Sequence, residues 1–150
     1  MVDSSGPARA TGPTRGAVVA DKPRGDALAV ARGYVRTRLT YRHGNPAGLS
    51  TAATAPGYST RALAARTQLA PAALDRLRAA QETSRVSRLA ARPADEAPHT
   101  ASTRYVDVAF AHTVTYRGSG PATSRPAAWT LRLVADRRGR WLVDAVLSTG

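Results

Sequence analysis

The sequence predicts an α+β domain in which three N-terminal helices pack on a curved four-stranded antiparallel sheet. Three observations predict it. Apolar residues recur at helical spacing between Ala27 and Tyr41. From Ser84 onward the apolar period changes to two. The segments that follow are joined by local connections, two of them with glycine, so consecutive strands pair as an antiparallel meander. A sheet of this size must bury one face against helices.

Asp26 reads as the N-cap of the first helix. Leu28, Ala31, Val35 and Leu39 form its apolar stripe, with Tyr34 alongside, while Arg32, Arg36, Arg38 and Arg42 lie mostly off it. Gly33 inside the helix costs about 1 kcal/mol against alanine, which points to close approach by another element. His43-Gly44-Asn45-Pro46 is expected to end the helix, with Gly44 as its cap. Residues 47–57 read as a loop with room for a short helical turn. Ser59 or Thr60 caps a second short helix through Leu63 to Arg66. Pro71 suits the first turn of a third, which turns Leu74 and Leu77 inward and ends near Gln81.

Val86 and Leu89 sit in a weak strand pattern that ends at Pro93, and a polar loop runs from Ala94 to Ser102. The clearest strand spans Thr103 to Arg117. Val106, Val108, Phe110, His112, Val114 and Tyr116 share the face expected to be buried; Asp107, Thr113, Thr115 and Arg117 share the wet one. Its length exceeds that of ordinary strands, so a bend through a bulge is expected. Gly118-Ser119-Gly120-Pro121 turns the chain. In the third strand Trp129, Leu131 and Leu133 oppose Thr130, Arg132 and Val134. Asp136-Arg137-Arg138-Gly139 is a hairpin loop with glycine where positive φ is needed. The last strand places Trp141, Val143, Ala145 and Leu147 opposite Leu142, Asp144 and Val146. Its apolar character suits a central position, or helices on one side and a partner on the other.

The 150 residues leave room for one domain. Residues 1–25 carry Gly and Pro throughout and little to bury, so they read as a disordered arm or linker, and the domain as 26–150. The formal net charge of +12 raises nucleic acid as a partner. That reading is disfavoured: Lys22 is the sole lysine, arginine is spread over every segment, and alanine is abundant, a composition a high-GC genome produces. Weak attraction to anionic lipid needs only the charge. There is no cysteine, so disulfide and thiolate chemistry are excluded. Residues 1–25 lack the apolar core of a signal peptide, and no stretch approaches the ~18 apolar residues of a membrane span, so the chain as it stands reads as soluble and untargeted.

The run Trp129-Thr130-Leu131-Arg132-Leu133-Val134, followed by Gly139-Arg140-Trp141-Leu142-Val143-Asp144, carries a resemblance. A strand, a tight turn and a Gly-x-Trp-x-Val strand, here Gly139, Trp141 and Val143, resemble the close of the nuclear transport factor 2-like superfamily. The helix Ala27 to Tyr41 and the strand Val106 to Tyr116 fit their places, and the resemblance covers roughly residues 26–147. It is nearest to actinobacterial Mce-associated membrane proteins and to envelope domains of conjugation and type IV secretion subunits. It implies a cone, with helices filling the mouth of a strongly curved sheet. It also implies a non-catalytic assembly or interaction domain of a bacterial cell-envelope or transport-associated complex, with partner subunits or a second copy as partners. Such proteins carry a membrane helix before the domain; with one, this domain would sit on the outer face of the cytoplasmic membrane, and without one in the cytoplasm.

Soluble members of the superfamily include enzymes with Asp or His inside the cone as general acid or base. The alternative reading is therefore a small cone-fold enzyme or ligand-binding protein with a pocket around His112. His112 lies in register with Val108, Phe110 and Val114, where a base could take a proton in apolar surroundings. Tyr34 and Trp129 are the other candidate pocket-lining residues, and Tyr41 and Tyr58 also suit a cavity wall. The plainer reading makes His112 a hydrogen-bonded core or rim histidine and the aromatics ordinary packing. Asp144 reads as an arginine partner, and Asp107 lies on the wet face. His43 at a helix end and His99 in a loop share no ligand spacing with His112, so no metal and no cofactor are expected. No catalytic residue is assigned.

Overall fold

The computed structural model describes residues 25–95 and 97–150. The arm expected over residues 1–25 thus lies outside the described residues, save Gly25. Four helices precede four strands: α1 (Ala27–Leu39), α2 (Pro46–Thr54), α3 (Arg61–Thr67), α4 (Pro71–Ala79), β1 (Thr83–Pro93), β2 (Thr103–Thr115), β3 (Ser124–Ala135) and β4 (Trp141–Thr149). The sheet is an antiparallel meander in the order β1-β2-β3-β4.

Asp26 caps α1, its carboxylate accepting from the Leu28 amide at 2.9 Å. The helix stops at Leu39, sooner than the His43–Pro46 signal suggests. Thr40 turns to extended backbone, and Tyr41 pairs with Ser84 of β1. Sheet pairing ends this helix, and Gly44 is not its cap. Gly33 is buried, and the ring of Tyr58 lies against it. Segment 46–54, read from sequence as a loop, is a nine-residue helix. Asn45 caps it at 3.0 Å to the Gly48 amide, and Pro46 occupies its first turn. Thr60 caps α3. The helices thus number four.

α1 packs against all four strands, α3 against β4, and α2 against α1. Ala31, Tyr34 and Val35 meet Val106, Val108, Phe110, Leu131, Leu133, Trp141 and Val143 in one core, with Leu28 and Trp129 packed on it. At roughly 2 kcal/mol for each large side chain removed from water, this inner face holds the helices to the sheet.

Three bulges set the side-chain faces. β2 pairs with β3 without interruption, and the bend expected near β2 falls in its other neighbour. There Arg88 and Leu89 together oppose Phe110, and Arg88 takes φ +57°. The extra residue explains the weak β1 pattern: Val86 faces the core before the bulge and Leu89 after it. In β4, Asp144 and Leu147 fall outside the pairing with β3. Parity therefore shifts, so Val146 packs on the core and Leu147 is exposed, the reverse of simple alternation. β4 is an edge strand, bordered by the Ser59–Val143 bridge rather than by another strand. Gly139 closes the β3–β4 hairpin at φ +76°.

Candidate functional site

Residues gather at the end of the sheet where α1 finishes. The Tyr41–Ser84 bridge draws the start of β1 under the last turn of α1. Ser84 is 2% exposed. Its hydroxyl donates to the Leu39 carbonyl at 2.6 Å, which satisfies one of the acceptors a helix leaves open at its C-terminus. The His112 Nε2 lies 2.8 Å from the same oxygen. Because the Ser84 proton is committed to Leu39, the His112 Nε2–H must be the donor of this bond. The tautomer is thereby set, and Nδ1 keeps a lone pair that meets no donor among the described residues.

Burial lowers the pKa of His112, against a smaller opposing pull from Glu82. The ring is therefore neutral at pH 7. Glu82 accepts the hydroxyl of Tyr41, and burial followed by this bond raises the Tyr41 pKa well above the ordinary phenol value. Both groups stay uncharged in the physiological range. The order of bonds is opposite to a serine nucleophile with its base: here histidine donates and serine accepts. Ser84 is also too enclosed to meet a substrate.

The three residues singled out by sequence lie along one aromatic run. Tyr34 is fully buried, with its ring centroid 6.5 Å from that of Trp129. Trp129 meets Phe110 edge-on at 6.1 Å, and Phe110 meets His112 at 6.1 Å. Arg38 closes the run from α1, its guanidinium 6.0 Å from the Trp129 ring and its Nε donating to the Tyr34 hydroxyl at 3.3 Å. Leu28, Val35, Phe110 and Trp129 all belong to the packed interior. His112 also lines a groove of about 550 Å³ with Val114, Tyr116, Arg125, Pro126 and Ala127. Ser84 and Glu82 escaped the sequence reading, because the β1–β2 register sets Ser84 beside His112 and the Tyr41 bridge adds the end of α1, neither of which local periodicity shows.

The remaining candidates each bond to neighbours within the fold. Asp144, on its bulge, takes Arg132 at 2.7 Å and the Thr60 hydroxyl at 3.4 Å, tying α3 to the sheet. Asp107 accepts from Thr130 at 2.7 Å on the outer face. The His43 Nδ1 lies 3.2 Å from the Thr83 hydroxyl, and His99 donates to the Ala94 carbonyl at 3.0 Å. Among the described residues no three His, Asp or Glu side chains converge as metal ligands do, and no helix is long and apolar enough to cross a membrane.

The outer face of the sheet is different in kind. Ala90, Ala109 and Ala128 are partners in register across β1, β2 and β3, and all three are exposed. Gly150 pairs with Ala128 and extends the row. The helices pack on the opposite face, so none covers this one.

No protein-family model and no curated protein matches the chain. Among solved structures it is similar to an "Ntf2 like protein involved in plasmid conjugation", with a TM-score of 0.50 and 11% identity. The match covers 83% of this chain and 48% of that one, so this chain spans about half the length of that structure. The likeness is one of fold: four helices on a curved antiparallel sheet, the nuclear transport factor 2-like α+β cone.

Proposed function

We propose that the chain is a non-catalytic assembly or interaction domain of a bacterial cell-envelope or transport-associated complex, working through the outer face of its sheet. The observation that carries this reading is the exposed row Ala90, Ala109 and Ala128 on a face no helix covers. Side chains this small let a second backbone approach closely. Arg85 borders the row on one side and Arg92 and Asp107 on the other, which supplies charge to orient a partner. The interior, in contrast, is packed with side chains. The likeness to a protein described as involved in plasmid conjugation supports the envelope context, as do the Gly139, Trp141 and Val143 resemblance and its link to Mce-associated proteins. The partners are subunits of that complex or a second copy of this chain.

A photo-crosslinking residue at position 109 or 128 of the full chain, expressed in cells, tests this. The expected product is a covalent link to a second copy or to an identified envelope subunit, absent when the same residue replaces exposed Ala65 on α3. Equal labelling from all three positions would reject the reading.

A second reading has its own observation. Neutral His112, with Nδ1 unpartnered among the described residues, borders the groove beside Tyr116 and Arg125. This suits a small ligand that donates a hydrogen bond to Nδ1, with Tyr34 and Trp129 supporting the site from behind. His112→Gln would then abolish saturable ligand binding while leaving the fold and the outer-face crosslinks intact.

A further inference from the structure

We propose that the cavity at the start of α1 binds a small carboxylate with an apolar body, held by Arg104. This cavity lies at the opposite end of β2 from His112 and is independent of the outer-face reading. Its volume is about 490 Å³, within the roughly 300–1,000 Å³ typical of small-molecule sites. Leu28, Val106 and Trp141 give it apolar walls, and Asp26, His99 and Arg104 bring polar groups to it.

The polar groups are unevenly matched. The Arg104 guanidinium lies 5.2 Å from the centre of the Trp141 ring, so stacking holds the fork in place before any ligand arrives. It donates to the Thr103 carbonyl at 3.1 Å and meets no carboxylate among the described residues. Asp26, the acid in the cavity wall, is turned onto the Leu28 amide. Trp141 is 6% exposed, yet its indole N–H finds no acceptor among the described residues. Buried donors of this kind are ordinarily satisfied. His99 donates through Nε2 to Ala94, which leaves Nδ1 as an acceptor. The Arg104 fork and the Trp141 indole N–H are therefore two donors without an anionic partner among the described residues, set against apolar walls. A carboxylate matches the guanidinium fork with two parallel hydrogen bonds, and its hydrocarbon body matches Leu28, Val106 and Trp141. A bare phosphate would leave those walls wet.

The test titrates the full ¹⁵N-labelled chain with benzoate, and with benzyl alcohol as the uncharged analogue. Benzoate is expected to shift the Trp141 indole and Arg104 Nε–H signals saturably. Benzyl alcohol should bind at least about tenfold more weakly, the factor that one charge-assisted hydrogen bond carries. Arg104→Gln should weaken benzoate by a similar factor. Ala101→Trp, an exposed position in the cavity wall, should block it while leaving Arg104 in place. Shifts spread without saturation over many arginines, equal affinity for the two probes, or unchanged benzoate binding in Ala101→Trp would each overturn the proposal. The last holds even if Arg104→Gln fails to fold.

Discussion

Replacing Ser84 by alanine removes one hydroxyl that serves two half-buried partners. The Leu39 carbonyl loses its donor at 2.6 Å, and the His112 Nε2–H loses its acceptor at 2.8 Å. A polar group left unsatisfied costs about 1–3 kcal/mol, so the pair should cost about 2–4 kcal/mol once partial access to water is allowed. For a domain of about 125 residues, 1 kcal/mol moves the midpoint by about 4 °C, which predicts a fall of about 8–16 °C. Thermal melts of the full chain and of Ser84→Ala at pH 7.5 measure it. The ring nitrogens of His112 supply a second readout: a single Nε2–H tautomer in the parent chain, and a mixture in the variant. A midpoint within about 3 °C of the parent, with the tautomer unchanged, would refute the relay Leu39–Ser84–His112.

Burial lowers the His112 pKa below its unfolded value, so the unfolded chain takes up the proton first as pH falls. Its contribution is fully present above about pH 6.5 and is lost as pH falls through the folded pKa; urea midpoints should decline there, and His112→Gln should flatten that decline. Gly33→Ala should destabilise by about 1–2 kcal/mol although alanine favours the helix by about 1 kcal/mol, because overpacking outweighs propensity. A methyl there would lie 2.7 Å from the Tyr58 Cζ. In a Tyr58→Ala background the same change should become stabilising, which paired melts would show. Arg88 sits at φ +57°, so Arg88→Gly should exceed Arg88→Val in stability by about 1–2 kcal/mol, against the β-propensity order. Equal denaturation midpoints for the two variants would contradict the bulge.

The parts of the fold that follow one uninterrupted period were legible in the sequence. Asp26, the Leu28–Leu39 stripe, the alternation of β2 from Val106 to Phe110 and the Gly139 turn stand where the pattern puts them, while Thr113, expected on the wet face, is buried and Tyr116, expected on the core face, is exposed. Three places were not legible, each for a physical reason. α2 has no charged face to display an amphipathic period; its readable signal was the Asn45-Pro46 cap. The faces of β1 and β4 depend on unpaired residues at Arg88, Asp144 and Leu147, and a bulge shows only in the partner strand's register. The end of α1 is set by Tyr41 joining β1, a contact between segments some forty residues apart. The β1–β2 register sets Ser84 beside His112 and the Tyr41 contact adds Glu82, so the candidate site was visible as one residue and not as a cluster.

The claim that the outer face, and not the interior, is the working surface is tested most directly by one comparison. Co-isolation of the full chain with its complex should be measured for Ala109→Glu and Ala128→Glu on the outer face and for His112→Gln on the inner one. The account predicts at least about a tenfold loss of co-isolated partner for the outer pair, the effect of one unpaired buried charge in an interface. It predicts a near-normal yield for His112→Gln. Loss with His112→Gln alone, and normal yields for both outer variants, would contradict it and move the function to the interior groove.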